Sequence, residues 1–147
     1  MPKYSKIKII DRIIDANINR AKEGLRVCEE ITRFILNNRT LTAHFKKIRH
    51  KIDTLLKLLA SSRNLLKARQ SIDDVGKTIH WGELKRKNYQ DIFAANIQRV
   101  KESIRVLEEF SKLKNTNIAI EFKNIRYGIY ELEKKVITNF PSLRPHR

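Results

Sequence analysis

The sequence predicts an all-α protein: a four-helix bundle made of two duplicated helical hairpins with a long central connector. Three observations carry this prediction. Apolar residues recur at helical spacing along four long stretches that contain no proline. Residues 15–34, DANINRAKEGLRVCEEITRF, return at 94–113 as AANIQRVKESIRVLEEFSKL. Residues 45–59, FKKIRHKIDTLLKLL, align with 122–136, FKNIRYGIYELEKKV, so the repeated unit is a whole hairpin. Neither hairpin can bury its apolar face alone, and packing the two together is the simplest remedy.

Taken in order, residues 1–10 are a short basic lead-in, and repeat 1 covers about 11–63. Its first helix is expected over 11–36. At about 100° per residue, Ile14, Ala21, Cys28 and Ile35 fall on one line, flanked by Ile18, Gly24, Leu25 and Ile31. The polar run 37–40 ends that helix, Thr40 or Thr42 is placed to cap the next, and the second helix follows over 41–63. The connector, 64–88, loses the periodicity and holds Gly76, Gly82 and the only tryptophan, Trp81. A stretch this long is either functional or a solvated link. Asp73, Asp74, Val75 and Gly76 form a plausible turn there. Repeat 2 covers about 89–139, with helices over 89–114 and 118–139 separated by Asn115, Thr116 and Asn117. A basic, proline-containing tail occupies 140–147, and the whole of 1–147 is read as one domain.

Charge narrows the partners. The chain carries 32 Lys+Arg against 16 Asp+Glu, a net +16. This favours anionic partners such as nucleic acid, an acidic surface or phosphorylated small molecules, unless it is compositional drift. A lone Cys28 on an apolar line reads as core and excludes a disulfide framework. No apolar run is long enough for a signal peptide or a membrane span, so a soluble, cytoplasmic protein is expected. His44, His50, His80 and His146 lack metal-ligand spacing, and neither a Walker-type phosphate loop nor a serine-centred elbow occurs.

Arginine and carboxylate chemistry remains. Asn17, Arg20, Glu23, Arg26, Glu29 and Glu30 recur as Asn96, Arg99, Glu102, Arg105, Glu108 and Glu109. Asn17 sits inside the apolar arc and Arg20 at its edge, where an unpartnered amide costs about 1–3 kcal/mol and a charge more. A shared network or a bound ligand near the pseudo-axis would satisfy both copies. The six arginines Arg20, Arg26, Arg49, Arg99, Arg105 and Arg126 offer planar forks for phosphate or carboxylate. Glu23, Glu30, Glu102 and Glu109 suit either Mg²⁺ or internal counterions. Arg26, Glu29, Arg105 and Glu108 point away from the arc, where ordinary surface ion pairs are the plain alternative. His50 and Tyr127 are equivalent in the repeat; each is either a packed ring with a wet edge or a binding group.

Five segments in register, RIIDANINRAKEGLRVCEEITRF, FKKIRHKI, ARQSIDDVGK, NIQRVKESIRVLEEF and IRYGIYELEKK, together resemble one family over about residues 9–136. It is the small all-helical hydroxymethylpyrimidine-phosphate kinase of thiamin synthesis, often fused in front of thiamin-phosphate synthase. The resemblance implies transfer of the ATP γ-phosphoryl group, with Mg²⁺, to 4-amino-5-hydroxymethyl-2-methylpyrimidine phosphate. It implies the pyrimidine monophosphate and the nucleotide as ligands and the synthase, fused or separate, as partner; a homodimer is open. The family's polar positions fall on Asn17, Arg20, Glu23, Arg26, Glu30, Arg49, His50, Asp74, Gly76, Asn96, Arg99, Glu102, Arg105, Glu109, Arg126 and Tyr127. We read Arg20, Arg99, Arg49 and Arg126 as catalytic. Asn17, Asn96, Arg26, Arg105, His50, Tyr127 and Gly76 are read as binding substrate or nucleotide. Asp73, Asp74, Glu23, Glu30, Glu102 and Glu109 are read as metal ligands. The competing readings are a non-catalytic helical interaction module, a nucleic-acid-binding bundle, disfavoured by scattered lysines and few aromatics, and a metal-free mutase-type enzyme acting through Arg and Glu.

Overall fold

A computed structural model describes residues 6–59, 62–78 and 84–141. Within them the protein is all-α, with α1 Lys6–Glu30, α2 Arg39–Leu59, α3 Ser62–Ala68, α4 Tyr89–Ser111 and α5 Thr116–Thr138. Trp81, Gly82, His80 and the tail beyond 141 lie outside the described residues.

Asparagines set the boundaries. The Asn88 side chain accepts from the Asp91 amide at the start of α4, and Asn115 accepts from Asn117 and Ile118 at the start of α5. α2 is capped by Asn38, whose Oδ1 takes the Leu41 amide at 3.0 Å, instead of by the expected Thr40 or Thr42. The expected continuous helix to residue 36 widens into a π-helical turn at Ile31–Ile35, with the Leu36 amide bonding the Ile31 carbonyl. It ends at Asn37, whose φ of 52° is a left-handed conformation that asparagine tolerates. Thr42 does take part in the join: its hydroxyl lies 3.0 Å from that of Thr32.

The four long helices share one core in which Phe45, Phe93 and Phe122 are fully buried with Ile14, Leu25, Ile52, Ile97, Ile104 and Ile129. α1 packs most extensively on α4, α4 on α5 and α1 on α2, while α2 also meets α5. The α1/α4 pair is antiparallel: Asp11 pairs with Lys114, while Gly24 meets Asn96 near the start of α4. Lys51 of α2 and Glu121 of α5 bridge the other side at 3.4 Å. The bundle of two hairpins is therefore as the repeat requires.

One departure matters for function. The connector is not structureless from residue 64: α3 occupies its start and packs on α1 through Leu65 and Ala68. Two buried apolar side chains one turn apart were enough to make a helix where long-range periodicity had faded.

The α1/α4 crossing has no room to spare. A Cβ on Gly24 would lie 2.6 Å from Val100 Cγ2 and 3.1 Å from the Asn96 carbonyl oxygen. Val100 is β-branched and fully buried, so it cannot swing away. Overpacking of this kind costs about 1–3 kcal/mol, against the roughly 1 kcal/mol that alanine gains over glycine in a helix. Gly24→Ala is therefore expected to lower stability by about 1 kcal/mol, read as a lower urea midpoint at constant m.

Cys28 is the core residue its position implies. Burial, reinforced by the Glu133 charge, pushes its thiol up to about 12. The thiol is expected to be inert to a disulfide reagent at pH 8 in the folded protein and fully reactive in denaturant. Because the unfolded thiol releases its proton first, near 9.0, its contribution to stability declines as pH rises from there through about 12. Comparison with Cys28→Ala over that window isolates this slope.

Candidate functional site

The structure distributes the repeated polar residues over two clefts and a pair of buried ion networks. The networks fix the two helices of each hairpin to one another. Glu29, buried on α1, accepts from Arg49 Nε and Nη2 of α2 at 3.0 and 3.1 Å, and from Arg26 at 3.5 Å. Glu108, buried on α4, accepts from Arg126 Nε and Nη2 of α5 at 2.9 and 3.5 Å, and from Arg105 at 3.3 Å. Hydrogen bonding to Glu108, and then to Tyr130, raises the Arg126 guanidinium further above its ordinary value. Glu30 and Glu109 join at the rim, 3.6 Å from Arg26 and 3.3 Å from Arg105. Arg26 and Arg105 thus form the expected ion pairs, but Glu29 and Glu108 are not surface groups. The second helix of each hairpin covers that side and seals it with an arginine, an arrangement the apolar arc of one helix cannot reveal. Removing the acid leaves a half-buried guanidinium without its partner, so Glu29→Ala is expected to cost about 3 kcal/mol. A drop in melting temperature of several degrees in a thermal scan checks it.

Asn17 and Asn96 are placed alike. Each donates its amide to the carbonyl four residues back, Ile13 at 2.9 Å and Ile92 at 2.8 Å, which leaves Oδ1 as an acceptor. One amide hydrogen of each is therefore bonded within its own helix, not in a network shared between the two copies. Arg20 and Arg99 are exposed and have no hydrogen-bond or ion-pair partner among the described residues.

The first cleft, about 370 Å³, opens between α1 and the connector. Ile9, Ile13, Ala16 and Ala68 give it an apolar floor; Lys8, Arg12, Asn17 and Arg20 line the helix side, and Asp73, Asp74 and Val75 the connector side. The connector is clasped to α1 by two arginines. Arg69 holds buried Asp15 through two bonds of 2.9 Å, and Arg12 Nη2 donates to the Gln70 carbonyl at 3.1 Å. The acid raises the Arg69 guanidinium above its ordinary value. The turn forms where the sequence placed it: the Gly76 amide donates to Asp74 Oδ1 at 2.8 Å, so one carboxylate oxygen is already committed.

The second cleft, about 590 Å³, lies between α4 and α5 and is lined by Gln98, Lys101, Glu102, Arg105, Arg126 and Tyr130. The two halves therefore do not converge on one hollow as expected. An antiparallel α1/α4 pair fills the space between the repeats with core side chains, and equivalent polar groups are carried to separate places. Of the remaining expected residues, His50 and Tyr127 are exposed, Tyr127 lying 5.2 Å beneath the Arg126 guanidinium. Glu23 is exposed, Glu102 accepts from Gln98 at 3.1 Å, and Glu109 is held low by its 3.0 Å bond to Lys112. The six expected metal ligands are not gathered: among the described residues no three His, Cys, Asp or Glu side chains stand together.

Comparison with known proteins gives the cleft a context. The family model described as the ThiD2 family matches residues 12–135, most of the chain. The chain belongs to the ThiD2 family. Three similar curated proteins are each named thiamine-phosphate synthase. The one from Nostoc punctiforme is 39% identical over 88% of this chain and 36% of its own. The Synechocystis protein is 39% identical over 87% and 36%, and that of Thermosynechococcus vestitus 37% over 87% and 35%. The chain thus spans about a third of the length of these relatives. No solved structure matches it. The matched span includes both halves of the first cleft except Lys8 and Ile9.

Sequence reasoning missed several residues. Lys8 and Arg12 continue the Arg20 side of α1 at four-residue spacing, a signal present just upstream of the repeated stretch. Asp15 and Arg69 are legible only as a difference: Ala94 stands where Asp15 has its equivalent. Among the described residues, no helix is long and apolar enough to cross a membrane.

Proposed function

We propose that this chain acts in thiamin biosynthesis as a phosphotransferase, moving the ATP γ-phosphoryl group onto 4-amino-5-hydroxymethyl-2-methylpyrimidine phosphate. Membership of the ThiD2 family and relatives named thiamine-phosphate synthase support the pathway. The observation that carries the reaction class is the α1–connector cleft. It joins an apolar floor, an amide acceptor, cations and two carboxylates drawn from segments more than fifty residues apart.

Each part has a use in this reading. The apolar floor takes the pyrimidine ring, and Asn17 Oδ1 accepts from its exocyclic amine. Arg12 and Arg20 neutralise the acceptor phosphate, one oxygen of which attacks the γ-phosphorus as the β–γ bridging bond breaks and ADP leaves. That oxygen is already ionised, so positioning and charge neutralisation do the catalytic work and no general base is required. Asp73 and the uncommitted oxygen of Asp74 suit a Mg²⁺ ion carried in by nucleotide phosphates, since Mg²⁺ takes one or two protein carboxylates beside phosphate and water. The remaining length of the synthase-named relatives makes a synthase the natural partner, fused or separate.

The test is ADP release by the purified chain with ATP, Mg²⁺ and the pyrimidine monophosphate, with ³¹P NMR following the diphosphate. Arg20→Ala is expected to lower kcat/KM about ten- to a hundredfold, the worth of one charged contact, with the melting temperature unmoved because Arg20 is exposed. EDTA is expected to stop turnover. ADP release that does not depend on the pyrimidine phosphate, or no release at all, overturns the reading.

A further inference from the structure

The α4/α5 cleft lies where the two repeats differ, with Gln98, Tyr130 and Glu133 standing where the first hairpin has Asn19, Asp53 and Leu56. In the first hairpin Lys22 of α1 pairs with Asp53 of α2 at 2.7 Å, bridging the crevice between them. The equivalent lysine of α4 is Lys101, but the equivalent of Asp53 is Tyr130. Lys101 instead turns to Glu133 at 2.9 Å, and its ammonium lies 5.5 Å from the Tyr130 ring centre. The crevice bridged in the first hairpin is an open, ring-walled cleft in the second.

Its chemistry is specific. Tyr130 is held by an edge-to-face contact with Tyr127 at 5.9 Å and by Arg126 Nη1 donating to its hydroxyl at 3.3 Å. Gln98 and Glu102 face it from α4. Their mutual bond of 3.1 Å uses a Gln98 amide hydrogen and Glu102 Oε1, leaving Gln98 Oε1 and Glu102 Oε2 as acceptors. Lys101 and Arg126 are already bonded to carboxylates, so the cleft does not attract free polyanions strongly. An aromatic wall with two acceptors fits an aminated heterocyclic base, whose face stacks on the ring and whose amine donates to the acceptors. On the same exposed side of α4, Arg99 follows Gln98 directly and has no partner among the described residues. It stands one turn from Asn96, where α1 crosses at Gly24.

We propose that the α4/α5 cleft is the site of the nucleotide base. Tyr130, Gln98 and Glu102 hold the adenine, and the phosphates run past Arg99 towards the α1/α4 crossing and Arg20. This deepens the phosphotransferase reading and rests on it for the identity of the donor, but binding is testable without turnover.

The experiment is calorimetric titration of ADP with Mg²⁺ into the intact chain and its variants. Tyr130→Asp recreates the first hairpin's lysine–aspartate bridge; it and Gln98→Ala are expected to weaken ADP at least tenfold. Tyr130→Phe keeps the ring and is expected to stay within about threefold of the parent. Tyr130 is 38% exposed, so its variants should fold, and circular dichroism confirms it. Titration of the pyrimidine monophosphate is expected to be the same for all of them. Tyr130-dependent ADP binding without phosphoryl transfer supports the site and sinks the kinase reading. Transfer with an unchanged KM for ATP in Tyr130→Asp sinks the site and leaves the kinase reading standing. No ADP binding by the parent chain overturns the site.

Discussion

The close antiparallel crossing of α1 and α4 governs everything else in this molecule. Gly24 brings the α1 backbone against the Asn96 carbonyl, and Val100 fills the space a side chain would take. Two helices that approach so closely shut out water, and the apolar arcs of both repeats close into one core around Cys28, Ile97 and Ile104. The same crossing decides where polar groups cannot meet. Groups on the core-facing arc must bond within their own helix, as Asn17 and Asn96 do, and longer cations must leave by the flanks. The two clefts accordingly lie on the flanks of the α1/α4 pair.

Duplication gave the chain two equivalent sets of such flanks, and divergence has made them unlike. The ion networks around Glu29 and Glu108 kept their partners, because a buried carboxylate that loses its arginine costs more than most single changes a small domain survives. Positions without that penalty drifted. Thr32 and Thr42 share a hydrogen bond at the first hairpin's turn; the second has Ser111 and Ala119, and Ser111 Oγ is buried without a partner among the described residues. Ala94 stands opposite Asp15, which anchors the connector, and Tyr130 opposite Asp53, which pairs with Lys22. Each of these asymmetries lies beside one of the two clefts or at a hairpin turn, and none removes a carboxylate or an arginine of the ion networks.

The fold was legible because its cause is periodic. Four proline-free apolar stretches and a repeat that spans both helices of a hairpin leave little choice but a bundle, and Asn88 and Asn115 cap helices close to where the breaks were read. What could not be read depends on contacts between segments distant in sequence. α3 owes its helicity to burial of Leu65 and Ala68 on α1, not to its own pattern. Glu29 and Glu108 looked solvated because one helix's wheel does not show the arginine arriving from the next. The site was legible in composition and not in arrangement: Asn17, Arg20, Asp73 and Asp74 were each singled out and do share a cleft, while Lys8, Arg12, Asp15 and Arg69 emerge only when the connector is laid along α1. Alignment of the repeats found the groups both clefts share, whereas the clefts are made unlike by the groups that differ.

That contrast bears on how a symmetric bundle would serve the unsymmetric transfer proposed for it. A transfer between two unlike ligands needs two unlike sites, which twin hairpins do not provide by themselves. The connector lies against α1 and supplies carboxylates to that flank, and Asp15 with Arg69 keeps it there. Tyr130 belongs to the second repeat alone and opens the opposite hairpin. Neither change touches the core or the paired glutamates, so both arise without disturbing the crossing that holds the halves together. The net charge fits the same division. Its surplus cations need no common face, because the groups that matter are few, and Arg20 and Arg99 stand apart from the ion networks as the two repeat-equivalent arginines left without a partner among the described residues.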